Sequence, residues 1–200
     1  MSDHPISEQQ LIEDFFPQVF ESEAKGLLQD LMVQPTLMVH FLSITEQQAE
    51  QCWAFIKGIF EECYRQGGLK VALSHQDGVL HGYALLMEHP DPVYSRYLHK
   101  IHVFEQFRGN GIGSKMLSMV LEGGRPVSLL CSSDLVPFYE RAGMHYMGRF
   151  PAPEAQHGFA MTRGMYLELE LMGSSEGGGM APVFMLNDND VKQLLEILAS

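Results

Sequence analysis

Residues 104–117, FEQFRGNGIGSKML, set Gly109, Gly111 and Gly113 between an apolar run (97–104) and a helical pattern. A strand that enters a turn of closely spaced glycines and leaves as a helix aims several backbone N–H groups at one point. That point lies at the positive end of the helix dipole, where a phosphate group is stabilised. Glycine suits such a turn because side chains would block the approach and some positions need positive φ. The chain is therefore expected to hold a phosphorylated cofactor. A glycine-rich turn without a ligand fits the six-residue pattern equally well when that pattern is taken alone.

Two familiar phosphate loops do not match. A Walker A loop needs G-x-x-x-x-G-K-[ST], but Lys115 stands between Ser114 and Met116. A dinucleotide fingerprint counted from Gly109 needs its third glycine at position 114, which is Ser114. R-x-x-G-x-G does match, from Arg108 through Gly111 to Gly113.

A second segment, VSLLCSSDLVPFYERAGM (127–144), reads as a buried strand, a polar break and a short helix that stops at Gly143. R-x-x-G-x-G followed at this distance by F-Y-E-x-x-G-[FM], here 138–144, resembles the GCN5-related N-acetyltransferase (GNAT) superfamily. The wording LLC..DLVPFYERAGMH is closest to its arylalkylamine N-acetyltransferase branch. The resemblance spans roughly residues 37–172. It implies a GNAT, or acyl-CoA N-acyltransferase, fold of mixed α/β class, with a mostly antiparallel central sheet flanked by helices. It implies acetyl-CoA as cosubstrate, held by Arg108 and by the amides of Gly109, Asn110, Gly111, Ile112, Gly113 and Ser114 around the pyrophosphate. The backbone of Ile101, His102 and Val103 would pair with the pantetheine arm. Ser132 stands where the superfamily often has a cofactor-side Asn, seven residues before Tyr139. The arylalkylamine branch carries two His, two apart, before the loop; here those positions are Tyr97 and His99.

With 46% hydrophobic and 19% charged residues, the chain has a globular composition. Its polar N-terminus and short apolar runs give no sign of a signal peptide or a membrane span. Three cysteines in apolar contexts read as reduced core residues of a cytoplasmic protein. A net charge of −12 opposes nucleic-acid binding. It is compatible with a cationic amine as substrate, and equally with a device for solubility.

Along the chain, residues 1–36 read as an N-terminal helical extension of two segments broken near Pro17. A first strand is expected at 37–42. Thr45 caps a helix to Gln66 that Gly67 and Gly68 stop. Two strands flank the hairpin signal Gln76-Asp77-Gly78. After strand 127–131 and helix 134–142 come two final strands, 145–150 and 164–172, closing a 37–172 acetyltransferase domain. Residues 173–200 supply a glycine-rich linker and an amphipathic helix capped by Asn187, with Val191, Leu194, Leu195 and Leu198 on one face. That helix must dock on the domain or on a second chain, and the terminal helices are candidates for a homodimer contact.

Acetylation of an amine first needs the neutral nucleophile. For an alkylamine with a pKa of about 10.4 this costs roughly 4.6 kcal/mol at pH 7. His99 is the candidate base, directly or through a water, with Glu105 a competitor. A lone strand histidine is otherwise more often structural. Strand alternation sets Tyr97, His99, Ile101 and Val103 on one face and His102 on the other, so no shared metal site is expected. Tyr139 is the candidate acid for the departing thiolate, a role the superfamily usually gives this Tyr. The lining of the amine pocket is expected from the first helix and the 88–96 and 151–163 loops. Two alternatives stay open: a non-catalytic acyl-CoA-binding or regulatory module, and an acetyltransferase for protein N-termini or lysines.

Overall fold

The computed structural model of the chain describes residues 8–175 and 182–200. Among them a six-stranded sheet runs in the order β1-β2-β3-β4-β6-β5. Its strands are β1 (Leu69–Gln76), β2 (Val79–Met87), β3 (Arg96–Val103), β4 (Val127–Cys131), β5 (His145–Arg149) and β6 (Glu170–Gly173). Neighbours are antiparallel except β3 and β4, which are parallel. The mixed α/β, largely antiparallel class expected from the sequence is the one found.

The β1–β2 hairpin turns through Asp77 (φ 51°) and Gly78 (φ 75°). Two positive φ values in a two-residue loop match the right-handed twist of the strands it joins. Strand β2 is buried on both faces. Tyr83, Leu85 and Met87 face a core built with α1 (Glu8–Met32), α3 (Glu46–Arg65) and α6 (Asp188–Ala199). Ala84 and Leu86 face a second core with α4 (Ile112–Leu121), beside which α5 (Val136–Arg141) packs. The sheet is thus sandwiched between two helical layers.

Several sequence expectations hold. Thr45 caps α3 in a box with Gln48, and Asn187 caps α6 in a box with Asp190. Helix α6 docks on its own chain, burying Val191 and Leu194. The polar break and helix expected at 134–142 become a 3-10 turn, Ser133–Leu135, and α5. Of the 173–179 linker, residues 176–179 lie outside the described residues, as does Ile6.

Three expectations are corrected. Helix α1 runs unbroken through Pro17. A proline inside a helix costs about 3 kcal/mol. Here Phe15, Val19, Phe20, Ala24, Leu28 and Leu31 are buried on both sides of it, and each large side chain returns about 1.5–3 kcal/mol. Residues 37–42 do not form a strand; Met38–Phe41 is a single helical turn, α2. Leu37 and Phe41, four apart, are buried while Met38, Val39 and Leu42 stay exposed, a helical rather than an alternating pattern. Finally, 164–172 is strand only at Glu170–Gly173, because Arg163–Tyr166 is a 3-10 turn. Tyr166 is buried and donates its hydroxyl hydrogen bond to the Leu186 carbonyl (3.3 Å), which draws the segment off the sheet.

At one point β2 and β3 approach so closely that no side chain fits. A Cβ on Gly82 would stand 2.5 Å from the His102 carbonyl oxygen. Gly82→Ala is expected to force the strands apart at a cost of about 1–3 kcal/mol, read as a lower urea midpoint with an unchanged slope.

Candidate active site

Strands β3 and β4 pair over only three positions, Arg96↔Val127, Tyr97↔Ser128 and Leu98↔Leu129. Beyond them β4 continues against β6 alone. Between Leu85↔Lys100 and Leu86↔Leu98 the β2–β3 register skips His99, which is therefore a β-bulge. A bulge bends its strand and re-aims the residues that follow. The β4-facing edge of residues 99–103 is left without a strand partner, at the mouth of an opening between two parallel strands. At the closed end the buried Arg96 guanidinium donates to the Val120 and Arg125 carbonyls (2.8 and 3.1 Å), pinning the end of α4 to the start of β3.

The glycine loop caps the open end. After the 3-10 turn Glu105–Phe107, Gly109 (φ 82°) and Gly111 (φ 72°) take the left-handed conformation that other residues adopt only at a cost. Lys115 donates the first α-helical bond of α4 to the Gly111 carbonyl (3.0 Å). The amides of Gly111, Ile112, Gly113 and Ser114 thus precede the hydrogen-bonded ladder, at the positive end of the dipole. Arg108, Gly109 and these helix-start residues line a recess of about 210 Å3 closed by Val103, Phe107 and Phe138. Arg108 Nε donates to the Val103 carbonyl (3.0 Å), so the loop is tied to the free strand edge. Asn110 does not line the recess; its Nδ2 donates to the Phe107 carbonyl (3.1 Å) and holds the turn.

On the other side of β3 lies a cleft of about 180 Å3. Tyr97, His99 and Lys100 form one wall, Glu23, Leu27 and Asp30 of α1 another. Leu130, the 165–169 segment and the 184–186 segment complete it with mostly apolar surface. His99 Nε2 lies 3.1 Å from Glu23 Oε1, and Phe60 and Phe184 flank the imidazole at centroid distances of 5.6 and 5.0 Å. Glu23 is 1% exposed. Burial pushes its carboxyl upward, but the hydrogen bond and charge of His99, with Lys100 and Tyr83, outweigh it and hold the carboxyl below its ordinary value. Asp30 goes the other way: burial raises it, opposed by Lys100 and reinforced by Glu23.

Tyr139 on α5 lines neither space itself and packs against the second core. Its neighbour Phe138 meets it edge-on (5.0 Å) and closes the glycine recess. Its own phenol is felt electrostatically by Tyr97, a wall of the cleft. Burial, then Cys131, pushes the Tyr139 phenol up to about 12.

A family model described as acetyltransferase (GNAT) family matches residues 26–144, more than half of the chain. The chain belongs to the GNAT family. No curated protein sequence matches it. Among solved structures, an acetyltransferase from Corynebacterium glutamicum described as histone acetyltransferase HPA2 and related acetyltransferase is similar at TM-score 0.51. That pair is 16% identical over 85% of this chain and 94% of the other. A spermidine N-acetyltransferase SpeG chimera from Vibrio cholerae and hSSAT gives 0.48, with 14% identity over 60% and 76%. Escherichia coli ElaA gives 0.41, with 18% identity over 54% and 68%. The first of these likenesses speaks for the fold. GNAT acetyltransferases use acetyl-CoA, and acetyl transfer is the general activity that membership supports.

In this GNAT chain the bulge overturns one expectation. His99 and His102 lie on the same face: His102 stacks on Tyr83 (5.1 Å), whose hydroxyl reaches Glu23 Oε2 (3.4 Å), the carboxylate that holds His99. Ile101 and Val103 instead face α4, where both approach Gly113. One inserted residue inverts the alternation beyond it. Burial lowers the His102 imidazole, which sits against aromatic rings. The facing argument against a shared metal thereby fails. Among the described residues no group of three or more His, Cys, Asp or Glu is arranged for a metal ion.

Ser132 is exposed at the start of the 3-10 turn after β4 and lines neither space. Glu105 is exposed on the 3-10 turn beyond β3, away from the cleft lining. The 88–96 and 151–163 loops do not line the cleft; 165–169 and 184–186 do. Sequence reasoning missed Glu23, yet a signal was present. It stands three residues after Phe20 and four before Leu27, on the apolar stripe of α1, where a carboxylate needs a partner. No helix among the described residues is long and apolar enough to cross a membrane.

Gly111→Ala is expected to weaken CoA binding by roughly tenfold in calorimetric titration, because a left-handed non-glycine residue costs about 1–2 kcal/mol and tenfold is 1.4 kcal/mol.

Proposed function

We propose that this GNAT chain is an acetyl-CoA-dependent N-acetyltransferase that acetylates a small primary amine in a direct ternary complex. The observation that carries the reading is the parting of β3 from β4. It puts the glycine recess and the His99 cleft at the two sides of one free strand edge, and Tyr139 stands next to Phe138 of the recess and near enough to Tyr97 of the cleft to act on it electrostatically.

The recess suits the diphosphate of the cosubstrate: four helix-start amides, two left-handed glycines and the Arg108 guanidinium converge there. The free edge at 101–103 suits the pantetheine amides, which would add to it like a strand. In the cleft, His99 or a water it holds takes the proton that the amine loses as its nitrogen bonds to the acetyl carbonyl carbon. The C–S bond breaks, and Tyr139 donates to the sulfur that leaves with the bonding electrons. A phenol near 12 is a weaker acid than an ordinary thiol at about 8.5. Desolvation raises a thiolate formed beside it as well, so burial acts on both partners of the transfer. Solvent then resets Tyr139 and His99.

The cleft, at about 180 Å3, suits a small amine better than a peptide. Its aromatic and aliphatic walls suit a hydrocarbon or aryl body, in line with the arylalkylamine resemblance. Three free cysteines, two of them buried, suit the reducing cytoplasm.

Tyr139→Phe tests the reading. It should lower kcat by about 10²–10⁴-fold, the range for a general acid, while leaving CoA affinity unchanged. In the unsubstituted enzyme the raised phenol stays protonated, so kcat should not fall near the ordinary phenol value of about 10. Thiol release from acetyl-CoA with a panel of small amines and peptides is the assay. CoA binding with no turnover on any acceptor would favour the non-catalytic alternative, and turnover on peptides alone would favour a protein acetyltransferase.

A further inference from the structure

Glu23 lies outside the family match, which begins at residue 26, and it belongs to a helix that a sequence reading treats as an appendage. Its carboxylate is nonetheless among the most deeply buried polar groups of the molecule. Taking such a charge out of water is costly unless partners compensate it. Here three converge: His99 Nε2 at 3.1 Å and Lys100 Nζ at 3.7 Å from Oε1, and the Tyr83 hydroxyl, which donates to Oε2 at 3.4 Å.

We propose that Glu23 is a positioning residue for the base, holding His99 in the tautomer that carries its proton on Nε2. This rests on the reading of His99 as base. A buried carboxylate accepts only, so the shared hydrogen sits on Nε2, and Nδ1 keeps its lone pair. Nδ1 is buried and has no hydrogen-bond partner among the described residues. Phe60 and Phe184 wedge the ring, so the two nitrogens do not exchange places. When the amine nitrogen bonds to the acetyl carbon, its proton passes to Nδ1, a transfer that requires the bound acceptor to part the Phe184 ring from this buried nitrogen. The Nε2–H stays in place, and the resulting imidazolium faces the Glu23 carboxylate, which remains ionised. The other charged or titratable groups around the ring are Asp30 on α1, Lys100 and Tyr97 on β3, Tyr83 on β2 and Tyr166 across the cleft. Lys100 shares Oε1 and tempers the field of the carboxylate; the tyrosines are neutral donors.

The test uses the full chain and the variants Glu23→Gln, Glu23→Asp, Glu23→Ala and His99→Gln. Side-chain 15N spectra above the imidazole titration should show a single His99 tautomer, protonated at Nε2, and a mixture in Glu23→Ala. Glu23→Gln keeps the shape and removes the charge. Its kcat should fall by roughly 10–100-fold, the loss typical when the partner of a functional imidazole is removed, with little change in amine KM. The acidic limb of its kcat/KM profile should move to lower pH, because imidazolium is less favoured without the anion. Glu23→Asp should recover part of the rate. Should Glu23→Ala fail to fold, the near-isosteric Glu23→Gln decides alone. A Glu23→Gln enzyme with unchanged kcat, acidic limb and tautomer pattern, while His99→Gln is inactive, overturns the role of Glu23 and leaves His99 as base. An unimpaired His99→Gln overturns the base itself, and Glu23 with it.

Discussion

Parallel strands normally stay paired along their length because each unpaired amide and carbonyl costs free energy when hidden from water. In this chain β3 and β4 part after Leu98 and Leu129, and the rest of the structure follows from that separation. Arg96 ties the closed end through two carbonyl bonds, so the strands diverge from a fixed vertex. The bulge at His99 bends β3 away and reverses which side chains face which helical layer. Ile101 and Val103 thereby support the glycine helix, while His99 and His102 turn toward α1 and α3. One extra residue in one strand gives the two faces of the opening different chemistry.

The two sides are built from different parts of the chain. The middle supplies the glycine loop, α4 and α5, all local in sequence. The His99 cleft is assembled from distant segments: Glu23, Leu27 and Asp30 near the start, Phe184 and Leu186 near the finish. The C-terminal segment is fixed there by several contacts. The Asp188 carboxylate accepts from the Ala160 and Met161 amides, Tyr166 donates to the Leu186 carbonyl, and Phe184 stacks on Phe60. Away from bulk water, the buried hydrogen bond between Glu23 and His99 is stronger than it would be on the surface.

The glycine recess, the hairpin at Asp77-Gly78, the capped starts of α3 and α6 and the strand 127–131 were legible because each depends on neighbours in sequence. Residues 37–42 were not, since a short continuous apolar run fits a buried strand or a helical turn equally well. Nor was the course of α1 through Pro17, because the energy that outweighs the proline comes from side chains of α3, the sheet and α6. The GMYLELELM alternation suggested a longer strand than exists, for its first half is drawn away by the burial of Tyr166.

Local order alone therefore determined that this chain presents a glycine turn between a strand and a helix, followed by a second strand and helix that carry Tyr139. Dihedral preferences, caps and periodicity act over a few residues and can be read from them. Only the tertiary structure decided which way His99 points, that Glu23 from a distant helix meets it, and that 184–186 joins α1 in walling the His99 cleft. Those outcomes depend on a register shift between β2 and β3 and on contacts between residues far apart in the sequence, such as Glu23 with His99 and Phe60 with Phe184. Coulombic and packing energies act through space, and the order of residues along a chain does not record which of them become neighbours.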